Sequence, residues 1–149
     1  MPIAELQSSR RALMAMAAVT LVVPSVAWAD PAADAAMAKI LAGRKPKDGG
    51  VKLDIPSIAE NGLVVPLTVE ADSPMTDADH ITAIHVFADG NPNPLVASFR
   101  FTPAAGKAAA STRIRLAQTQ NVVIFAETSG GEIRKASAEV KVTIGGCGG

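Results

Sequence analysis

Apolar and polar residues alternate along most of the chain after residue 50, and this two-residue period predicts β-strands. Two runs, Ile81–Ala88 and Val122–Glu127, are instead apolar at successive positions, which predicts central strands buried on both faces. In all, the pattern predicts seven strands, over Val51–Ile55, Leu63–Glu70, Ile81–Ala88, Leu95–Phe101, Thr112–Leu116, Val122–Glu127 and Ala138–Ile144.

Turn-forming segments rich in Gly, Pro, Asn and Asp separate these strands, and no helix alternates with them. The sequence therefore predicts an all-β domain over residues 51–144, an immunoglobulin-like antiparallel sandwich of about seven strands. The likeness is architectural, because the Cys…Trp…Cys pattern of true immunoglobulin domains is absent. Pro66 cannot donate a backbone hydrogen bond, which predicts that its strand lies at a sheet edge.

A segment with apolar residues at helical spacing precedes the strands. Asp30 is a suitable N-cap, Pro31 suits the first helical position, and Gly43 can end the helix. One apolar stripe at this spacing comprises Ala33, Met37, Ile40 and Leu41. Residues 30–50 are thus predicted to form a short helix and a linker.

The first 29 residues have the pattern of an export signal rather than of folded structure. Arg10 and Arg11 are followed by an apolar stretch, and a small-x-small site ends at Ala29. The paired arginines indicate the twin-arginine route, which exports folded proteins, with cleavage between Ala29 and Asp30. We therefore expect a periplasmic protein without a membrane anchor.

Composition and candidate chemistry exclude several classes of function. Lys and Arg number 14 and Asp and Glu also number 14, and no basic run occurs, so nucleic-acid binding is not expected. His80 and His85 fall on opposite faces of an extended segment, so we expect a turn residue and a structural residue rather than metal ligands. No nucleophile motif is present, so we expect neither catalysis nor a cofactor.

The one distinctive feature is the only cysteine, Cys147, which lies third from the end between two pairs of glycines. Gly145, Gly146, Gly148 and Gly149 give the backbone its widest conformational range, so residues 145–149 are predicted to form a flexible arm. Glycines bring no charge that would lower the pKa of the thiol, so we expect it to stay near its ordinary value. Such a thiol suits a carrier whose partners supply the chemistry.

Two alternative roles for Cys147 stay open. A cysteine without a partner in its own exported chain can form an intermolecular disulfide, which would make the protein a crosslinked structural module. Cys147 can also be a residue without a function in a disordered glycine-rich tail.

The paired arginines, the small sandwich and the terminal Gly-Gly-Cys-Gly-Gly together resemble the SoxY family of periplasmic sulfur carriers. The resemblance implies that Cys147 carries intermediates of thiosulfate oxidation and that the flanking glycines form the arm. It also implies a heterodimer with a SoxZ-like subunit. The enzymes implied are SoxAX-like for attachment of thiosulfate, SoxB-like for hydrolytic release of sulfate and, in some organisms, SoxCD-like for oxidation of the remaining sulfur.

Overall fold

The computed structural model describes residues 30–145, which contain one α-helix, nine strands and a 3-10 turn at Pro103–Ala105. The helix, α1, spans Pro31–Leu41. The strands are β1 Lys47–Asp48, β2 Val51–Asp54, β3 Ile58–Ala59, β4 Val65–Ala71, β5 Ile81–Ala88, β6 Leu95–Arg100, β7 Ala108–Ile114, β8 Gln120–Thr128 and β9 Ile133–Val142. The predicted export signal, with Arg10, Arg11 and Ala29, lies outside the described residues.

The strands form two sheets packed face to face. The larger sheet has six strands in the order β1-β9-β8-β5-β6, with β3 also paired to β9, and the smaller has the order β2-β4-β7. All seven longer strands pair antiparallel. The short strands β1 and β3 pair in parallel with β9. The predicted all-β sandwich is confirmed, with these two short strands added.

Alternate residues of the strands fill the core between the sheets. Along β4, Val65, Leu67, Val69 and Ala71 are buried and the residues between them are more exposed. The strands β5 and β8 are instead buried on both faces, as their continuous apolar runs predict. Their second face needs a cover, because a large apolar face exposed to water would be unfavourable.

Helix α1 supplies that cover. Met37, Ile40 and Leu41 pack against a small apolar cluster on the outer face of the larger sheet, formed by Phe87, Val123, Phe125 and Ile133. The rings of Phe87 and Phe125 meet edge to face, with centroids 5.7 Å apart. Within residues 30–145, no helix is long and apolar enough to cross a membrane.

The N-terminal end of α1 is as predicted, and at its C-terminal end Ala42 joins the predicted Gly43 in ending the helix. The Asp30 side chain accepts a hydrogen bond from the Ala32 N–H at 2.9 Å, and Pro31 opens the helix. Two successive left-handed residues end the helix, Ala42 with φ of 48° and the predicted Gly43 with φ of 79°. The Ala42 N–H still reaches the Ala38 carbonyl at 2.9 Å, so the capping bond compensates for the unfavourable φ.

Several predicted strand limits are wrong. The strand predicted from Thr112 to Leu116 is β7, which begins at Ala108 and ends at Ile114. The strand predicted from Ala138 is β9, which begins at Ile133. In both cases pairing with a neighbouring strand extends through residues that do not alternate in polarity. Tertiary pairing therefore overrides the local pattern.

The edge position predicted for the strand of Pro66 is also wrong, because β4 lies between β2 and β7. The reason is that β2 pairs only with residues 68–71 of β4. At Pro66 the strand has a partner on one side only, Arg113 of β7. The proline is therefore compatible with a central strand because it lies beyond the end of β2.

We expect Phe87→Ala to lower the free energy of unfolding by about 3–5 kcal/mol, since the ring is fully buried between α1 and the sheet. Urea denaturation followed by circular dichroism measures this. Val64→Ala, at a side chain that is 56% exposed, is the control and should change stability by less than about 1 kcal/mol. Equal losses in the two variants would contradict the assigned packing.

Candidate functional site

The predicted carrier residue Cys147 and the glycines Gly146, Gly148 and Gly149 lie outside the described residues. The structure describes the segment from which they continue, and we call residues 143–145 the root. The root begins where β9 ends, and two backbone hydrogen bonds hold it against residues 59–62. The Thr143 N–H donates to the Ala59 carbonyl at 3.1 Å, and the Ile144 carbonyl accepts from the Gly62 N–H at 2.8 Å.

Gly145 has a packing role that the sequence does not reveal. A Cβ atom at this position would collide with the backbone carbonyl oxygen of Ala117. The sequence predicts that Gly145 is part of the flexible arm. In the structure, the Ala117 carbonyl leaves no space for a Cβ atom at this position, so glycine is required here. The root therefore lies directly against the loop between β7 and β8.

A buried amide holds that loop in place. Asn91 is 1% exposed, and its side chain accepts from the Ala117 N–H at 2.9 Å and donates to the Arg115 carbonyl at 2.7 Å. Gln120, also buried, donates to the same Asn91 oxygen at 2.8 Å. Fully bonded buried amides are costly to disrupt, so the surface beneath Gly145 is well fixed.

Exposed apolar side chains surround the root. Among residues 30–145, five large apolar residues are exposed, and four of them lie on segments bonded to the root. Ile144 is itself 68% exposed. The other three are Ile58, Leu63 and Val64. The end of the described chain is thus on the surface, within an apolar rim.

A second polar cluster lies on the outer face of the larger sheet, and it contains His85. The ring is 6% exposed, with Nδ1 2.8 Å from the Ser98 Oγ and Nε2 3.0 Å from the Glu127 Oε1. The second Glu127 oxygen lies 3.3 Å from the Arg44 guanidinium. His85 is therefore a bonded structural residue, as predicted.

Arg44 connects this cluster to the helix. Its guanidinium also donates to the carbonyls of Ile40 at 2.7 Å and Leu41 at 3.0 Å, which are among the last carbonyls of α1. These groups have no partner within the helix, and a positive charge there complements the helix dipole. Arg44 and Glu127 thus fasten α1 to the sheet, and their separation of 83 positions hides this role from the sequence.

The remaining histidine, His80, lies in a turn as predicted, with Nδ1 3.0 Å from the Thr76 carbonyl oxygen. In the part of the chain from residue 30 to residue 145, no group of three or more His, Cys, Asp or Glu side chains is arranged to hold a metal ion. The candidate reactive residue is therefore still the predicted Cys147, which follows the root in the sequence.

These features define a class, a small β-sandwich that brings its C-terminal strand end to the surface within an apolar rim. The model of the family "Sulfur oxidation protein SoxY" matches residues 37–147, from within α1 to the cysteine itself. The chain belongs to the SoxY family. A comparison with curated protein sequences finds no significant match.

Solved structures agree with this assignment. The sulfur carrier protein SoxY from Chlorobium limicola f. thiosulfatophilum is 38% identical, with a TM-score of 0.61, and the match covers 74% of this chain and 96% of that one. A superoxide reductase (neelaredoxin) from Ignicoccus hospitalis is 18% identical, with a TM-score of 0.56 and coverage of 63% and 80%. A superoxide reductase from Nanoarchaeum equitans is 12% identical, with a TM-score of 0.55 and coverage of 64% and 100%. The superoxide reductases share the fold alone.

We expect Glu127→Ala to lower the free energy of unfolding by about 1–3 kcal/mol, because it leaves the buried His85 Nε2 and the Arg44 guanidinium without their carboxylate. Thermal or urea unfolding measures the loss. Glu139→Ala removes an exposed carboxylate from β9 and should be close to neutral. A neutral effect of Glu127→Ala would show that the cluster does not fasten the helix.

We expect Gly145→Ala to displace the root, since the added Cβ meets a backbone oxygen that cannot move aside cheaply. Amide hydrogen exchange at Gly62 should become faster, because its bond to Ile144 is strained or lost. Gly130→Ala is the control, since a Cβ there meets only the Thr128 Oγ1 at an ordinary 3.8 Å. Unchanged exchange at Gly62 would contradict the close approach.

Proposed function

We propose that this protein is a covalent carrier of sulfur intermediates in thiosulfate oxidation, with the thiol of Cys147 as the attachment atom. One observation carries the proposal: the family match extends to Cys147, and the described chain reaches the surface at Gly145, two residues before it. The Chlorobium relative is described as a sulfur carrier protein. In this proposal Gly146, Gly148 and Gly149 give the arm that presents the cysteine its freedom, and Gly145, packed against Ala117, anchors the base of that arm.

In the proposed cycle, the Cys147 thiolate and the outer sulfur of thiosulfate form a sulfur–sulfur bond, and two electrons pass to a SoxAX-like haem enzyme. A SoxB-like enzyme then adds water to the terminal sulfur, which releases sulfate and two protons and leaves a persulfide on Cys147. In organisms that have a SoxCD-like enzyme, that enzyme oxidises the outer sulfur of the persulfide to a sulfonate with oxygen from three water molecules, and six electrons pass to the enzyme's acceptor. Hydrolysis by the SoxB-like enzyme then releases a second sulfate and returns the Cys147 thiolate. The cargo stays covalently bound throughout, so its effective concentration at each enzyme is high.

The electrostatics of the arm support a carrier rather than an enzyme. The glycines beside Cys147 bring no cation, side-chain hydrogen-bond donor or general base that would lower the pKa of the thiol. Each partner enzyme therefore has to supply the groups that activate and orient the sulfur. A thin backbone without side chains suits entry into a narrow active-site channel.

We further propose that the protein works in the periplasm as a heterodimer with a SoxZ-like subunit. The twin-arginine segment with Arg10 and Arg11 would direct export of the folded pair, followed by cleavage between Ala29 and Asp30. This route suits a subunit that binds its partner before export.

Intact-mass measurement on protein purified from thiosulfate-oxidising cells tests the carrier function. We expect wild-type protein to carry added thiosulfonate or persulfide mass that is removed by a reducing thiol and maps to the peptide of Cys147. Cys147→Ser should carry none and should unfold at the same temperature as wild type. If wild-type protein carries only disulfide-linked second copies, the alternative of a crosslinked structural module is correct.

A further inference from the structure

The two sheets leave free edges on the same side of the sandwich. The larger sheet ends at β6 and the smaller sheet ends at β7. A groove of about 330 Å³ runs between them. It is lined by Leu95, Val96 and Ala97 of β6 and by Thr112, Arg113 and Ile114 of β7. We call this groove the seam.

The outward edge of β6 presents unpaired backbone groups. The Phe101 N–H donates to the Thr82 carbonyl at 2.9 Å. In an antiparallel pair, the backbone N–H and C=O groups of successive residues point alternately toward and away from the neighbouring strand. The register of β6 against β5 continues this alternation back along β6. The N–H and C=O groups of Ser98 and Arg100 therefore point away from β5, and the alternation ends at Val96, where the register shifts opposite Phe87. Within residues 30–145, β6 pairs with no other strand. Such an edge can accept one more extended strand.

The opposite edge of the larger sheet, unlike the β6 edge, is covered by other strands. There β9 is covered at its start by β1 and near its end by β3. β6 carries neither the proline nor the lysine that commonly protects an edge strand. Leu95 is 43% exposed, and Val96 and Phe99 are only partly buried against the core. The seam is thus an apolar edge without a cover in the described part of the chain.

The charge of the seam indicates what would cover it. Arg113 and Arg115 line the groove, and Arg100 ends β6. All three are exposed, and no carboxylate within residues 30–145 forms an ion pair with them, whereas Arg44 and Lys107 are paired with carboxylates. An occupant with carboxylates would therefore be favoured. A second copy of this chain would bring another cationic edge and is disfavoured by repulsion.

We propose that the seam binds an extended acidic segment of the partner subunit, which adds a strand to β6. Its backbone would hydrogen-bond the outward groups of Ser98 and Arg100, and its carboxylates would pair with Arg113 and Arg115. This assignment rests on the heterodimer of the proposed function and specifies its interface.

The first test measures binding of a purified SoxZ subunit to the mature chain by calorimetry. The double variant Arg113→Glu/Arg115→Glu should bind roughly 10-fold to 100-fold more weakly, because two attractive charge contacts become repulsive. Lys52→Glu/Lys141→Glu makes the same change of charge at exposed lysines on β2 and β9, and should bind like wild type. Circular dichroism melting of both variants controls for folding.

The second test measures amide hydrogen exchange of the wild-type chain with and without the SoxZ subunit. Exchange at Ser98 and Arg100 should slow in the complex by roughly 10-fold or more, while Lys52 on the exposed edge strand β2 should be unaffected.

The outcomes separate the two proposals. If wild type binds the subunit but β6 gains no protection and the double variant binds equally well, the seam is wrong and the heterodimer stands. If wild type does not bind the subunit at all, the heterodimer fails and the seam assignment fails with it. Protection of β6 in the isolated chain at high concentration, with dimerisation seen by ultracentrifugation, would assign the seam to a second copy and also overturn the proposal.

Discussion

The pairing of β9 on both of its edges is the constraint on which the rest of the structure depends. On one side β9 pairs with β8 from Gln120–Val140 to Glu127–Ile133, and on the other it pairs with β1 and β3. A strand bonded on both sides cannot slip in register without breaking both sets of bonds. The position of Gly145, the last residue that the structure describes, is therefore fixed by the sheet.

The same sheet also needs its second face covered, and this explains the helix. The strands β5 and β8 are apolar on both faces, so the sandwich alone would leave Phe87 and Phe125 in water. Helix α1 buries them, and Arg44 ties the helix end to Glu127. The polar cluster around His85 thus serves the fold.

A carrier has to satisfy two requirements that conflict with each other. Its cargo residue must reach several active sites, while its body must be recognised in a defined orientation. The bonded root, with the Ile144 carbonyl held by Gly62, separates the two, because the segment before Gly145 belongs to the rigid body. The free edge of β6 also lies on this body, where β8 and β5 separate it from β9 in the sheet.

The sequence by itself determined the all-β class, the central position of β5 and β8, the N-cap at Asp30 and the candidate cysteine, because each depends on local periodicity or on a short motif. It could not predict β1 and β3, the full lengths of β7 and β9, or the central place of Pro66, since pairing between distant segments leaves no periodic signal. Likewise only the tertiary structure placed Arg44 against Glu127 and Gly145 against Ala117. Those contacts depend on close packing of residues far apart in the chain, which no local pattern encodes.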